Sequence, residues 1–163
     1  MKEKDEKSIL KLASKIKGKK SSIAEELEKI SKEKKQRVLT MEVSKHRGKE
    51  STFTPLAYAI HRNSIAVEKL LRVAKENGIL KDILDATTTI KHSESREVTY
   101  TPLTYAILRR NSIAIEEILK ISKENRILKD ILNATITIKH QNNQKVTDKL
   151  LAALHDRKVI QKF

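Results

Sequence analysis

Acid–base, nucleophilic and metal chemistry need particular side chains, and this 163-residue sequence holds few of them. It has no cysteine, which removes thiolate nucleophiles, thiolate zinc sites and disulfides. Its histidines are His46, His61, His92, His140 and His155. His46, His92 and His140 each follow a lysine at one repeated position, so their recurrence comes from duplication and gives no independent sign of a metal site. A zinc ion needs its ligands within one tetrahedron, whereas stacked units hold equivalent positions one helix spacing apart, roughly 10 Å. With no acidic cluster beside them, the histidines read as structural decoration. A Gly-rich phosphate loop, a Gly-x-Ser-x-Gly elbow and a paired-carboxylate cluster are all lacking in a chain with three glycines. Lys81-Asp82 and Lys129-Asp130 recur, and repeated charged pairs on helices are solvated faces. The expectation is a protein with no catalytic group, no metal and no cofactor, hence not an enzyme.

The elements that carry these residues are written twice. Thr54-Pro-Leu-Ala-Tyr-Ala-Ile60 returns as Thr101-Pro-Leu-Thr-Tyr-Ala-Ile107. Lys-Glu-Asn, Ile-Leu-Lys-Asp-Ile-Leu and Ile-Lys-His then follow in both copies. The offset is 47 residues at Thr-Pro-Leu and 48 from Asn63/Asn111 onward, which places one extra residue near Arg109-Arg110. A period of this size marks units that cannot bury their apolar faces alone and stack on neighbours.

Each copy divides into four pieces. Thr54 is a good N-cap and Pro55 a good first helical residue, since its missing amide would be unpaired there anyway. The short helix to about Arg62 directs Leu56, Ala59 and Ile60 to the core, and Ala59 and Ala106 let helices approach closely. Asn63-Ser64 turns the chain into a second helix striped by Ala66, Val67, Leu70, Leu71 and Ala74. Asn77-Gly78 supplies a left-handed stop, a task left to Asn125 in the second copy. Ile79, Leu80, Ile83 and Leu84 suit a third helical piece. The β-branched runs Thr87–His92 and Glu97–Tyr100 flank Ser93–Arg96 as a hairpin, repeated by Thr135–His140 and Lys145–Thr147 around Gln141–Gln144.

Worn copies flank the pair. Ile9, Leu12, Ala13 and Ile16 lie on one helical face, and Ser22-Ile-Ala-Glu25 is a capping box opening a helix from Ile23 to about Lys34. Thr40–His46 parallels the later strands. At the other end Asp148–His155 aligns on Thr101–Leu108, with Leu150, Ala153 and Leu154 at core positions. The whole chain, 1–163, thus reads as one domain: a degenerate unit over 8–50, repeats over 51–100 and 101–147, and a partial unit over 148–163.

The apolar fraction is 38% and aromatics 3%, so Ile, Leu, Val and Ala must build the core, which suits stacked helices and not a large pocket. Met1–Lys7 carries both charge signs and leads into no apolar run, so neither a signal peptide nor a membrane span is expected. A soluble, cytoplasmic chain follows, in a bacterium or in a host cell that receives it. The net charge of +14 sits at the two ends: Lys/Arg against acids is 16 to 9 over 1–50, 7 to 6 over 51–100 and 12 to 6 over 101–163. Lys outnumbers Arg 26 to 9, as AT-rich coding would produce. Compositional drift on solvated faces and a phosphate-binding surface both stand as accounts of the charge.

Thr-Pro-Leu-x-Tyr-Ala-Ile, a short gap, Asn-Ser and a striped helix resemble the ankyrin repeat, which opens with Thr-Pro-Leu-His-x-Ala-Ala and joins units by a hairpin. Residues 54–76 and 101–124 carry the likeness well, and 8–33 and 148–157 carry it weakly. Ala57 and Thr104 stand where the family has His, so the tie that His makes between units is lost. Asn63 and Asn111 replace a glycine. The unit is about 14 residues longer than the usual 33, the excess lying in Ile79–Ala86 and the hairpin. The resemblance implies a mostly α solenoid of helix pairs joined by β-hairpins, two full units between degenerate terminal ones.

It also implies a non-enzymatic module that holds an unknown protein partner on its inner helix face and hairpin tips. On this chain that surface comprises His61, Arg62, Arg109 and Arg110 at helix ends, with Ser93, Glu94, Arg96, Tyr100, Gln141, Asn142 and Asn143 on the hairpins. Phe53 and Tyr100 precede the Thr-Pro-Leu caps, and an exposed aromatic beside Arg is the composition of an interface anchor. Half-buried aromatics that cover a strand end are equally common. The alternative partner is nucleic acid, held non-specifically by Lys15–Lys20, Lys32–Arg37, Arg157 and Lys158, since few aromatics exist for base stacking. An anionic membrane surface for the N-terminal basic helix is a third reading.

Overall fold

A computed structural model describes residues 31–41, 43–44, 52–62, 65–93 and 96–137. The chain is mostly helical: seven helices and two separate two-stranded antiparallel sheets among these residues. Helix α1 spans Lys32–Thr40, and the strands β1 (Val43–Ser44) and β2 (Thr52–Phe53) follow. The first copy then supplies α2 (Pro55–His61), α3 (Ala66–Glu76), α4 (Leu80–Asp85), β3 (Thr88–Ser93) and β4 (Arg96–Tyr100). The second supplies α5 (Pro102–Leu108), α6 (Ser112–Glu124) and α7 (Leu128–Thr137).

The two short helices start for the same reason. The Thr54 hydroxyl accepts from the Ala57 amide at 3.2 Å and the Thr101 hydroxyl from the Thr104 amide at 3.3 Å, each with proline in the first turn. Their apolar faces then meet: α2 packs on α5, α3 on α6 and α4 on α7, so every helix of one copy lies against its counterpart. Ala59 and Ala106 are fully buried, and having no bulk beyond Cβ they allow the α2–α5 approach. Leu56, Ile60, Ala66, Val67, Leu70, Leu71, Ala74, Ile79, Leu80, Ile83 and Leu84 are all buried, as the periodicity requires. The same core continues into Leu103, Ala106, Ala114, Ile115, Ile118, Leu119 and Ile131.

Helix α1 packs on α4 and α2. The helix expected to run from Ile23 to Lys34 does not reach its end, because Ser31 is extended (φ −61°, ψ 159°) and its hydroxyl caps α1 through the Lys34 amide. Val38 and Leu39 are buried there, the role of Ile83 and Leu84 in α4. Lys35 donates to Asn77 Oδ1 at 3.2 Å and Gln36 to Asp82 at 2.8 Å, fixing α1 against the first copy.

Strand β3 pairs with β4 from Thr88 opposite Tyr100 to Lys91 opposite Glu97, then Ser93 opposite Arg96 across an irregularity. Thr88 joins this hairpin to β2: its hydroxyl accepts from the Thr54 amide and donates to the Thr52 carbonyl, both at 3.1 Å. The matching strand expected over Thr135–His140 does not begin where expected, and Ile138–His140 lie outside the described residues. Residues Thr135–Thr137 instead prolong α7. Each residue added to an existing helix gains a hydrogen bond, whereas a strand without a partner gains none, and no described strand lies beside 135–137.

The helix stops are left-handed, but not at the residue expected in the second copy. Gly78 (φ 67°) ends α3. After α6, Asn125 stays at negative φ (−98°) and Arg126 takes the left-handed role (φ 59°). Asn125 serves differently, its side-chain amide donating to the Ile121 carbonyl at 2.7 Å, as Asn77 does to Val73. The expected N-terminal helical face and capping box, the second hairpin partner and the 148–157 half unit lie outside the described residues.

Candidate functional site

The aromatic residues just before and within the two short helices gather at the contact between α2 and α5. Phe53 on β2 lies 5.3 Å from the His61 ring and 5.9 Å from Tyr105, centroid to centroid. Tyr105 stacks near-parallel to His61 and sits 6.0 Å from Tyr100, and Tyr58 meets Phe53 edge-on. The Tyr105 hydroxyl and His61 Nδ1 are 2.7 Å apart and share a hydrogen bond. Burial pushes the Tyr105 phenol up to about 12, with Tyr100 adding to the rise and the nearby Arg109 guanidinium opposing it.

Of the two readings open for Phe53 and Tyr100, exposed anchor or cover of a strand end, burial fits the second. Both are buried, Phe53 at 8% and Tyr100 at 4% exposure, and cover the junction between strand ends and short helices. His61 is half-buried and tied to Tyr105. Thr104 turns its hydroxyl back to Thr101, while two other ties join the copies. One is His61–Tyr105. The other is Asn111, whose side-chain amide donates to the Ile60 carbonyl at 3.1 Å while its oxygen caps α6 through the Ala114 amide at 3.0 Å. These ties place the Arg109–Asn111 turn against the end of α2.

Arg62, Arg109 and Arg110 remain at the surface of that junction, all exposed. Arg62 and Arg109 cap the short helices at their C-terminal ends. Arg110 has φ 54°, and its amide bonds to Ile107 while the Asn111 amide bonds to Ala106, the double closure of a left-handed helix stop. Serine 93 (Ser93) and Arg96 face one another across the hairpin backbone. Glu94, Gln141, Asn142 and Asn143 lie outside the described residues. So do His46, His140 and His155, and no group of three metal-binding side chains occurs among the described residues. No described helix is long and apolar enough to cross a membrane.

Sequence reasoning missed two features of this junction. Tyr58 and Tyr105 recur in both copies, a signal that could have marked them as interior residues. Ile65, Leu108 and Ile113 are exposed at 74%, 44% and 64%, the large apolar side chains so exposed among the described residues. Ile65 and Ile113 directly precede the buried stripes at equivalent positions, where helical periodicity assigns them to neither face clearly.

No protein-family model, curated protein or solved structure matches the chain.

Proposed function

We propose that this chain is a non-enzymatic, ankyrin-like repeat module that binds a protein partner, with Arg62, Arg109 and Arg110 in the contact surface. The observation that carries this reading is the division of polar chemistry at the α2–α5 junction. His61, Tyr105 and Asn111 are engaged in holding one copy to the next, while the three arginines beside them meet no carboxylate among the described residues. Ion pairs between copies use lysine instead: Lys75 with Glu124 at 3.2 Å and Lys81 with Asp130 at 3.5 Å. Arginine's planar fork suits carboxylate recognition better than lysine's point charge. A repeat stack offers such a surface without a cavity, and the resemblance of residues 54–76 and 101–124 to ankyrin units points the same way.

The test is charge reversal. A protein captured by the intact chain should be lost or weakened about ten-fold or more when Arg62, Arg109 and Arg110 are changed together to Glu. Thermal stability should stay nearly unchanged, because these exposed side chains form no ion pair among the described residues. Equal capture by the triple variant would remove the arginines from the contact surface.

A further inference from the structure

The arginine cluster does not stand alone at its end of the molecule. Ile65 opens α3, Ile113 lies in the first turn of α6, and Leu108 ends α5. Because α3 packs on α6 and Asn111 is bonded to the end of α2, these three apolar side chains share one end of the helix pairs with Arg62, Arg109 and Arg110. From these elements we infer that this end is a docking surface for an acidic amphipathic segment of the partner. Its carboxylates would meet the arginines, and its apolar side chains would cover Ile65, Leu108 and Ile113. The inference rests on the protein-binding reading and names the chemistry of the partner.

Two observations point to that occupant. The large exposed apolar side chains among the described residues are confined to this end, and exposed apolar groups ringed by charge mark interaction sites. Arginine is scarce in a chain that favours lysine 26 to 9, yet three of the nine arginines gather here.

Glu68 in the first turn of α3 and Glu116 in α6 are the acids that follow in sequence, and the three arginines outnumber them. A nucleic acid would supply phosphates for the arginines but nothing for isoleucine, and the described aromatics that could stack on bases are committed elsewhere. Phe53, Tyr100 and Tyr105 are buried, and Tyr58 packs on Phe53.

The experiment titrates the full chain with fluorescein-labelled helical peptides: one with Glu on one face and Leu on the other, one with Lys for Glu, one with Ser for Leu. A labelled oligothymidine of similar charge is the fourth probe. The Glu/Leu peptide should bind, and the other three should bind at least about ten-fold more weakly. Binding should fall about ten-fold in Ile65→Ser/Ile113→Ser and in Arg62→Glu/Arg109→Glu. Arg110→Gly supplies a control against unfolding, since it should weaken the peptide while raising the melting temperature. No saturation by the Glu/Leu peptide up to about 1 mM, equal binding of the Ser-for-Leu peptide, or tighter binding of the oligonucleotide would each overturn the inference. If the peptide fails but a captured partner still depends on the arginines, the module stands and the acidic amphipathic ligand falls.

Discussion

At the scale of single residues, the hydrogen bond between Tyr105 and His61 does the most to separate interior from surface. Removing the phenol oxygen in Tyr105→Phe should cost about 1 kcal/mol, the net worth of one such bond. It should also change the response to alkali. An ordinary tyrosine ionises near 10, while burial holds Tyr105 up to about 12. In that window the unfolded chain has lost the proton and the folded chain keeps it. The contribution is therefore fully present below pH 10 and is lost as pH rises towards 12. Urea denaturation at stepped pH should show a steeper alkaline loss in the native chain than in Tyr105→Phe. Parallel curves would place the phenol in contact with water. A second residue-scale prediction concerns Arg126, held at φ 59° where the first copy has Gly78. Glycine carries no Cβ penalty in that region, so Arg126→Gly should stabilise the chain by about 1 kcal/mol in the same measurement. No gain would mean that the Arg126 side chain makes compensating contacts.

At the scale of elements, Asn111 links a helix start to a neighbouring helix end. Asn111→Ala removes the cap on α6 and leaves the buried Ile60 carbonyl without its donor, for a loss of roughly 2 kcal/mol. Asn111→Asp keeps the capping oxygen and loses the donor, so it should fall between the two in thermal unfolding. How far such elements could be read in advance depended on whether their cause was local. Thr-Pro caps and apolar stripes act within a few residues, and α2, α3, α5 and α6 were legible for that reason. Thr135–Thr137 was not: its β-branched residues suit a strand, but a strand also needs a partner, and propensity carries no information about partners. Ser31 was read as the middle of a helix because its neighbours match the second copy, although a serine can equally cap the next helix. The left-handed role of Arg126 was hidden because arginine has no preference for that conformation, unlike the asparagine before it.

At the scale of the whole molecule, counterparts of the two copies lie against one another, and polar residues divide between that contact and the surface. The lysine pairs Lys75–Glu124 and Lys81–Asp130 run between copies, and the Asp85 hydrogen bond, aided by Asp130, raises the Lys81 ammonium above its ordinary value. Both pairs are exposed and contribute little to stability. Of the candidate surface, Arg62, Arg109 and Arg110 were named from the ankyrin resemblance, and the structure adds that all three are exposed. Phe53 and Tyr100 are buried and His61 is half-buried against Tyr105, since aromatic rings gain by packing on one another beside a short helix. Ile65, Leu108 and Ile113 were invisible as a group until the stacking of α3 on α6 and the Asn111 bond brought their ends together. A protein partner held as proposed would occupy this end of the helix pairs. Hydrogen–deuterium exchange on the intact chain, alone and with its captured partner, tests that placement most directly. Slowed exchange should concentrate in the amides of Arg62–Ala66 and Leu108–Ala114, and unchanged exchange there, with protection confined to the β3–β4 hairpin, would contradict it.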